Sequence, residues 1–141
     1  MLVRLMYASR AAESVTPDDV ADILKKSRSH NPGVGVTGVL CLSAGIFLQL
    51  IEGGRPAVSA LYNRIAADRR HRDVVLLSFE EIGERRFAGW SMGQVNLNRL
   101  NPAVLMKYSE TGTLDPFGVP GAVSMAMFNE LAASASIMAQ A

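Results

Sequence analysis

Two apolar runs, residues 34–42 and 46–52, lie on either side of Ser43-Ala44-Gly45. A connection that short between strand-forming segments closes a β-hairpin. A hairpin in mid-chain limits what can surround it, because each of its strands must find a further neighbour or a cover. Ahead of it, Thr16-Pro17-Asp18-Asp19 opens a helix, with Thr16 as the cap, Pro17 in the first helical position and acids in the first turn. Val20, Ile23 and Leu24 give that helix an apolar stripe, Lys25, Lys26 and Arg28 sit near its end, and Asn31-Pro32-Gly33 is read as its stop.

Before this helix, residues 2–9 read as a strand with Val3, Leu5 and Tyr7 on one face. After the hairpin, Pro56 starts a second helix whose inner side is Val58, Leu61, Tyr62 and Ile65, ended by the basic turn Asp68-Arg69-Arg70-His71. Residues 74–82 and 90–95 are the fourth and fifth strands. The order β-α-β-β-α-β-β is a split pair of β-α-β units, which predicts an α+β, ferredoxin-like fold. The expected sheet is mixed and five-stranded, with two helices on one face and parallel neighbours placed by the helical crossovers.

This accounts for residues 1–97. Residues 98–141 read as a helical extension for output or assembly. Asn101-Pro102 opens a short helix through Val104, Leu105 and Met106, and residues 111–121 hold three glycines and two prolines, a loop composition. A small-residue helix is predicted from Ala122 to Ala139, with Met125, Phe128, Leu131 and Met138 as its sticky side and Glu130 as its one charge. A helix so bare of charge needs a surface to cover, on its own domain or on another subunit.

Composition narrows the function classes. With 14 basic and 13 acidic residues, a net charge of +1 gives no bulk attraction to nucleic acid. The single cysteine, Cys41, forms no internal disulfide, and no zinc-type spacing is present. With no leader pattern or bilayer-length apolar run, the cytoplasm is the expected compartment.

The chemistry concentrates around FLQLIEG, residues 47–53, where Gln49 is the uncharged polar residue in a strand-like run. Its amide carries two donors and an acceptor, all needing partners if the strand is buried. Alternation puts Gln49 with Phe47 and Ile51, opposite Ile46, Leu48 and Leu50. In this topology the first and third strands are neighbours, so Tyr7 and Gln49 lie side by side, flanking the cleft between the helices. Asn31, at the exit of helix one, and Arg64, on helix two, reach the same cleft. Trp90 and Met92, two apart on the expected fifth strand, share a face. Taken singly, each has an ordinary reading: Asn31 as a helix cap, Arg64 and Asp68 as a solvated i,i+4 pair, His30 as a helix-end residue. Tyr7 and Gln49 are likewise readable as a core tyrosine and a strand-edge glutamine.

Together the blocks are specific. "RLMYAS" around Tyr7, "HNPGVGVTGVLCLS" from His30, "FLQLIEG", "RIAADRRH" from Arg64 and "RRFAGWSM" from Arg85 resemble the BLUF domain, a family of flavin-binding blue-light sensors. The resemblance runs over residues 1–97, and the extension, with "LMKYS", is similar to the short stand-alone PixD-like members. It implies FAD as cofactor, with FMN or riboflavin as substitutes, between the two helices. It implies Asn31 and Arg64 as principal binding residues, Asp68 orienting Arg64, and His30 and His71 as weaker ones. Tyr7 and Gln49 become the photoactive pair, and Trp90 and Met92 the segment that passes the signal outward. The resemblance also implies a regulatory module rather than an enzyme, a dimer or larger ring, and a separate effector such as a response regulator or a cyclic-dinucleotide enzyme. Two departures stand out: Leu42 replaces a frequent tyrosine, and Gly93 follows Met92. The rival classes are a small acylphosphatase-like hydrolase, for which Gly53-Gly54-Arg55 is a weak phosphate-loop hint, and an oligomerisation adaptor without ligand.

Overall fold

A computed structural model describes residues 1–95 and 102–133, together with the backbone pairing of 137–138. The elements are β1 (Leu2–Ala11), α1 (Pro17–Val34), β2 (Thr37–Ser43), β3 (Ile46–Gly54), α2 (Arg55–Ala67), β4 (His71–Ile82), β5 (Gly93–Val95), α3 (Pro102–Tyr108), α4 (Gly121–Ala133) and β6 (Ile137–Met138). The sheet order is β4-β1-β3-β2-β5-β6, the ferredoxin-like arrangement with additions at one edge.

The sheet is mixed, though for a different reason from the one expected. Each helical crossover skips a strand, so β1 pairs antiparallel with both β3 and β4, and β2 pairs antiparallel with β3. The parallel pairing is that of β2 with β5. The two-residue β6 adds a sixth strand, antiparallel to β5, where the sequence suggested a helix continuing to Ala139.

Helix α1 begins as read: Thr16 and Asp19 form a reciprocal capping box and Pro17 occupies the first turn. It does not stop at Asn31-Pro32-Gly33. It runs on to Val34 with Pro32 inside, and ends where Gly35 turns left-handed at φ 68. There Gly35 N–H donates to Pro32 O (3.3 Å) and Val36 N–H to Asn31 O (2.9 Å), which closes the last carbonyls in a Schellman motif. The extra turn keeps Asn31 helical and buried. The fifth strand is also shorter than expected, so Trp90 and Met92 precede it.

Alternation along the strands sorts the core into two layers. On the front face Val3, Leu5, Tyr7, Phe47 and Ile51 pack under α1 and α2. On the back Met6, Ala8, Val39, Cys41, Leu48 and Leu50 meet Met127, Phe128 and Leu131 of α4, with Val104, Leu105 and Tyr108 of α3 at the margin. The charge-poor helix therefore covers its own sheet. Close approach of β2 and β3 depends on Gly38, where a Cβ would fall 2.2 Å from Leu50 O. Cys41 lies buried in the back layer, which pushes its thiol up to about 12.

Candidate functional site

The front layer is not closed. Helices α1 and α2 stand apart over the middle of the sheet and leave a cleft of about 690 Å³, within the range of small-molecule and cofactor sites, roughly 300–1,000 Å³. Its floor is Tyr7, Leu40, Phe47 and Gln49; Ile23, His30 and Asn31 line it from α1, and Leu61, Arg64 and Ile65 from α2. Asp68, Arg70 and His71 line the end where α2 gives way to β4. Apolar side chains on the floor and inner walls, ringed by polar and charged groups from both helices, suit a flat ring carrying carbonyl and N–H edges with a polar tail.

β1 and β3 set Tyr7 opposite Gln49 in the antiparallel register. Tyr7 OH donates a short hydrogen bond to Gln49 Oε1, and Gln49 Nε2 donates to Met92 Sδ at 3.3 Å. The amide thus spends its acceptor on the phenol and one of its two donors on a thioether, a weak acceptor. Burial, with smaller contributions from Tyr62 and Asp68, holds the Tyr7 phenol well above its ordinary value of 10.0, so it stays protonated. Its ring meets Tyr62 at 5.8 Å between centroids and the His71 edge at 6.1 Å.

Asn31 is fully buried and donates from Nδ2 to Ser91 O at 2.8 Å. Arg64 is exposed, and its Nη2 donates to His30 Nε2 at 3.3 Å. Asp68 does not pair with Arg64. Its carboxylate takes Arg70 Nη2 at 2.6 Å and the Arg70 backbone N–H at 2.9 Å, because the chain turns into β4 and brings Arg70 closer than the helical neighbour. Those bonds hold the Asp68 carboxyl at about 2. His71 shares a hydrogen bond with Ser9 Oγ (2.7 Å) and packs on Phe47 at 4.6 Å; burial lowers its pKa, with Asp68 opposing and Arg70 reinforcing.

Trp90 and Met92 do not share a face. The chain turns between Phe87 and Trp90, with Trp90 N–H on Phe87 O, and then bends at Ser91 and Met92 instead of running extended. Met92 is buried in the front layer beside Gln49, while Trp90 stacks on Phe87 at 5.6 Å and packs against the back layer. Arg28 and Arg70, not expected at the site, also touch it. Arg28 donates from Nε to Met92 O (3.1 Å), and Arg70 lines the cleft. The signal for Arg70 was in "RIAADRRH", hidden by pairing Asp68 with Arg64 on helical spacing alone. At the suggested phosphate loop, Gly54 caps α2 and Arg55 is bound to Glu81 at 3.2 Å. Among the described residues no cluster of three or more potential ligands could hold a metal, and no helix is long and apolar enough to cross a membrane.

Comparison with known proteins gives a consistent answer. The sequence profile described as sensors of blue-light using FAD matches residues 2–93. The alpha subunit of a photoactivated adenylate cyclase from Euglena gracilis is 38% identical over 84 residues, 60% of this chain but 8% of that protein. The blue light- and temperature-regulated antirepressor BluF of Escherichia coli (strain K12) is 29% identical over 115 residues, 80% of this chain and 28% of that one. The chain therefore spans a small part of these curated relatives. Among solved structures, the dark state of BlrB, a BLUF protein, superposes with a TM-score of 0.81 at 33% identity, covering 95% of this chain and 96% of that one.

Proposed function

Because the chain belongs to the BLUF family, the sensors of blue light using FAD, we propose that it is a photoreceptor, not an enzyme, which holds FAD in the cleft between α1 and α2. The observation that supports this best is the run of contacts along the cleft floor, from Tyr7 OH to Gln49 and from Gln49 to Met92 Sδ. A buried, protonated phenol bonded to an amide that in turn donates to a soft thioether suits a redox and hydrogen-bond relay.

Asn31 offers a planar amide to the ring edge, and Ile23, Leu40, Phe47, Leu61 and Ile65 cover its faces. Arg64, His30, Arg70 and His71 supply donors for carbonyl, ribityl or phosphate oxygens. When bound and excited by blue light, a flavin supplies a strong one-electron oxidant. The remaining steps belong to the protein. Loss of an electron makes the Tyr7 phenol strongly acidic, and its proton moves to Gln49 Oε1, the atom it already bonds. When the electron returns, Tyr7 regains a proton, and the amide is left rotated or as its imidic tautomer, with one Nε2 proton shifted to Oε1, so that Met92 Sδ is exchanged for a better acceptor. Met92 is soft enough to repack when that bond is lost. Trp90, two residues back and on the other side of the sheet, carries the displacement to the layer under α4.

Output on this reading is a changed contact with a separate protein, since light alters a population only through its different effect on two conformations. The antirepressor and cyclase among the relatives indicate the range of effectors, and a homo-oligomer is part of the proposal. The deciding experiment is the absorption spectrum of the purified protein in darkness and just after blue light. A flavin band that moves slightly red and recovers in darkness supports the reading. A protein that stays colourless after incubation with FAD overturns it.

A further inference from the structure

The segment from Arg85 to Met92 reaches the site without a strand ladder to hold it, since β5 begins at Gly93. Side chains hold it instead, and they do so at both ends. At the Met92 end the holders are site residues: Asn31 on Ser91 O, Arg28 on Met92 O, and Gln49 on Met92 Sδ. At the other end Arg85 donates to Thr37 Oγ1 (3.1 Å), Gly35 O (2.6 Å) and Glu52 O (3.4 Å), and Arg86 to Asn129 Oδ1 (2.9 Å). The segment's backbone is gripped there by Glu52, the acid of β3, wholly buried on the back side of the sheet.

Every contact of the Glu52 carboxylate is accounted for. Oε2 accepts from Arg4 Nε at 2.7 Å and from Arg86 N–H at 3.0 Å; Oε1 accepts from Phe87 N–H at 2.7 Å and shares the Arg86 N–H at 3.1 Å. Arg4, itself 6% exposed, is fixed in turn by Glu80 at 2.9 Å. A buried ion pair is a poor way to gain stability, because desolvation offsets most of its attraction and an apolar pair of similar volume does as well. What this pair supplies is position. It fixes the backbone at Arg86 and Phe87, and the chain then makes the turn that carries Trp90 O to Gly38 N–H (3.0 Å) and returns Met92 to the front face.

We propose that Glu52, locked by Arg4, is a positioning residue for Met92: it sets where the chain re-enters the front layer and so keeps Met92 Sδ on Gln49. It touches neither the cleft nor any residue lining it from α1 or α2, so its action runs through the backbone alone. For its optical consequence the proposal rests on the light-sensor reading; for its geometric consequence it does not.

Trp90, the single tryptophan of the chain, is a built-in reporter, stacked on the Phe87 whose N–H Glu52 holds. In the full-length chain, Glu52→Gln places an NH₂ against backbone N–H groups and should release the segment. The expected result is retained flavin, a Trp90 emission more readily quenched by acrylamide, and a dark-recovery rate changed by about tenfold, the scale of one buried hydrogen bond. The double variant Arg4→Met with Glu52→Leu keeps apolar bulk without the charges and should fold while showing the same two changes. If the variants fold with Trp90 quenching and recovery unaltered, Glu52 is only a structural acid and the proposal fails. A third reading needs no variant: the Arg86 and Phe87 amides should resist hydrogen exchange as strongly as the β3 ladder, and exchange at loop rates would overturn the proposal. A parental protein that takes up no flavin would sink the light-sensor reading, yet leave quenching and exchange to decide this one.

Discussion

The two faces of the sheet are made by the same strands, one residue out of step, and they are finished in opposite ways. On the back, Leu48 and Leu50 belong to the layer to which α4 supplies Met127, Phe128 and Leu131, so apolar side chains pack against apolar side chains. On the front, Phe47 and Ile51 are covered in the same manner, but the residue between them is Gln49, and the helices above it stand apart over a cleft. The back face is completed by the chain. The front face is left open, and on the proposed reading a flavin completes it. Where the back does carry a buried charge, at Glu52, every oxygen is already taken by the protein.

That contrast can be broken most forcefully from the back. Phe128→Ala should destabilise the protein by about 3–5 kcal/mol, the cost of emptying a fully buried aromatic site. Thermal melting would show it. A melting temperature unchanged in this variant would mean that α4 does not close the back layer in solution. On the front, the expected pattern is reversed. Gln49→Leu should keep the fold and the flavin but lose the reversible red shift, and a normal shift in that variant would end the role assigned to the amide.

A smaller effect is expected at Asn31. Removing its amide in Asn31→Ala takes away one buried hydrogen-bonding group, worth about 1–3 kcal/mol, so flavin binding should weaken by roughly one to two orders of magnitude; titration of the apoprotein with FAD measures it. The least effect comes from acid. His71 has a lowered pKa, so the unfolded chain takes up a proton before the folded one does, and stability should begin to fall as pH drops below about 6.5. Asp68 acts lower down: its carboxyl sits at about 2 against an ordinary 3.8, so its contribution is full above the ordinary value and is lost between there and about 2. Melts from pH 7 to about pH 2 should show both losses on the front. Arg70→Gln should remove the lower one, and a curve identical to the parent's would show that the Asp68–Arg70 pair contributes nothing.

The parts of this structure that were legible in the sequence are those governed by local rules. Alternation put Tyr7 and Gln49 on one face and Leu48 and Leu50 on the other, and Thr16-Pro17 marked a helix start that the capping box confirms. The misreadings arise where a distant or competing contact decides. Asn31-Pro32-Gly33 carries stop signals, yet a left-handed Gly35 further on offers a fuller closure of the last carbonyls, and the helix continues to it. Trp90 and Met92 share a face only if the chain between them is extended, and the bends at Ser91 and Met92 break that condition. Asp68 had a helical partner on paper in Arg64 and a nearer one in Arg70 after the turn. Glu52 could be placed on the back by counting from Leu48, but its partners at 86 and 87 lie 34 and 35 positions away. No spacing rule reaches that far. The cleft itself is legible only as a pairing of faces, because its width depends on how far α1 and α2 stand apart.

Cys41 gives the closed face a use of its own. Its thiol is buried in the layer that α4 helps to fill and is shifted far from thiolate at neutral pH, so a maleimide or disulfide reagent should find nothing to attack while that layer is closed. The chain is therefore blank to thiol chemistry in its docked form, and a cysteine added anywhere on the exterior could be labelled without competition. Conversely, any reagent that does reach Cys41 has timed an opening of the back layer. Labelling rates in darkness and under illumination would turn one inert atom into a clock for the helix above it.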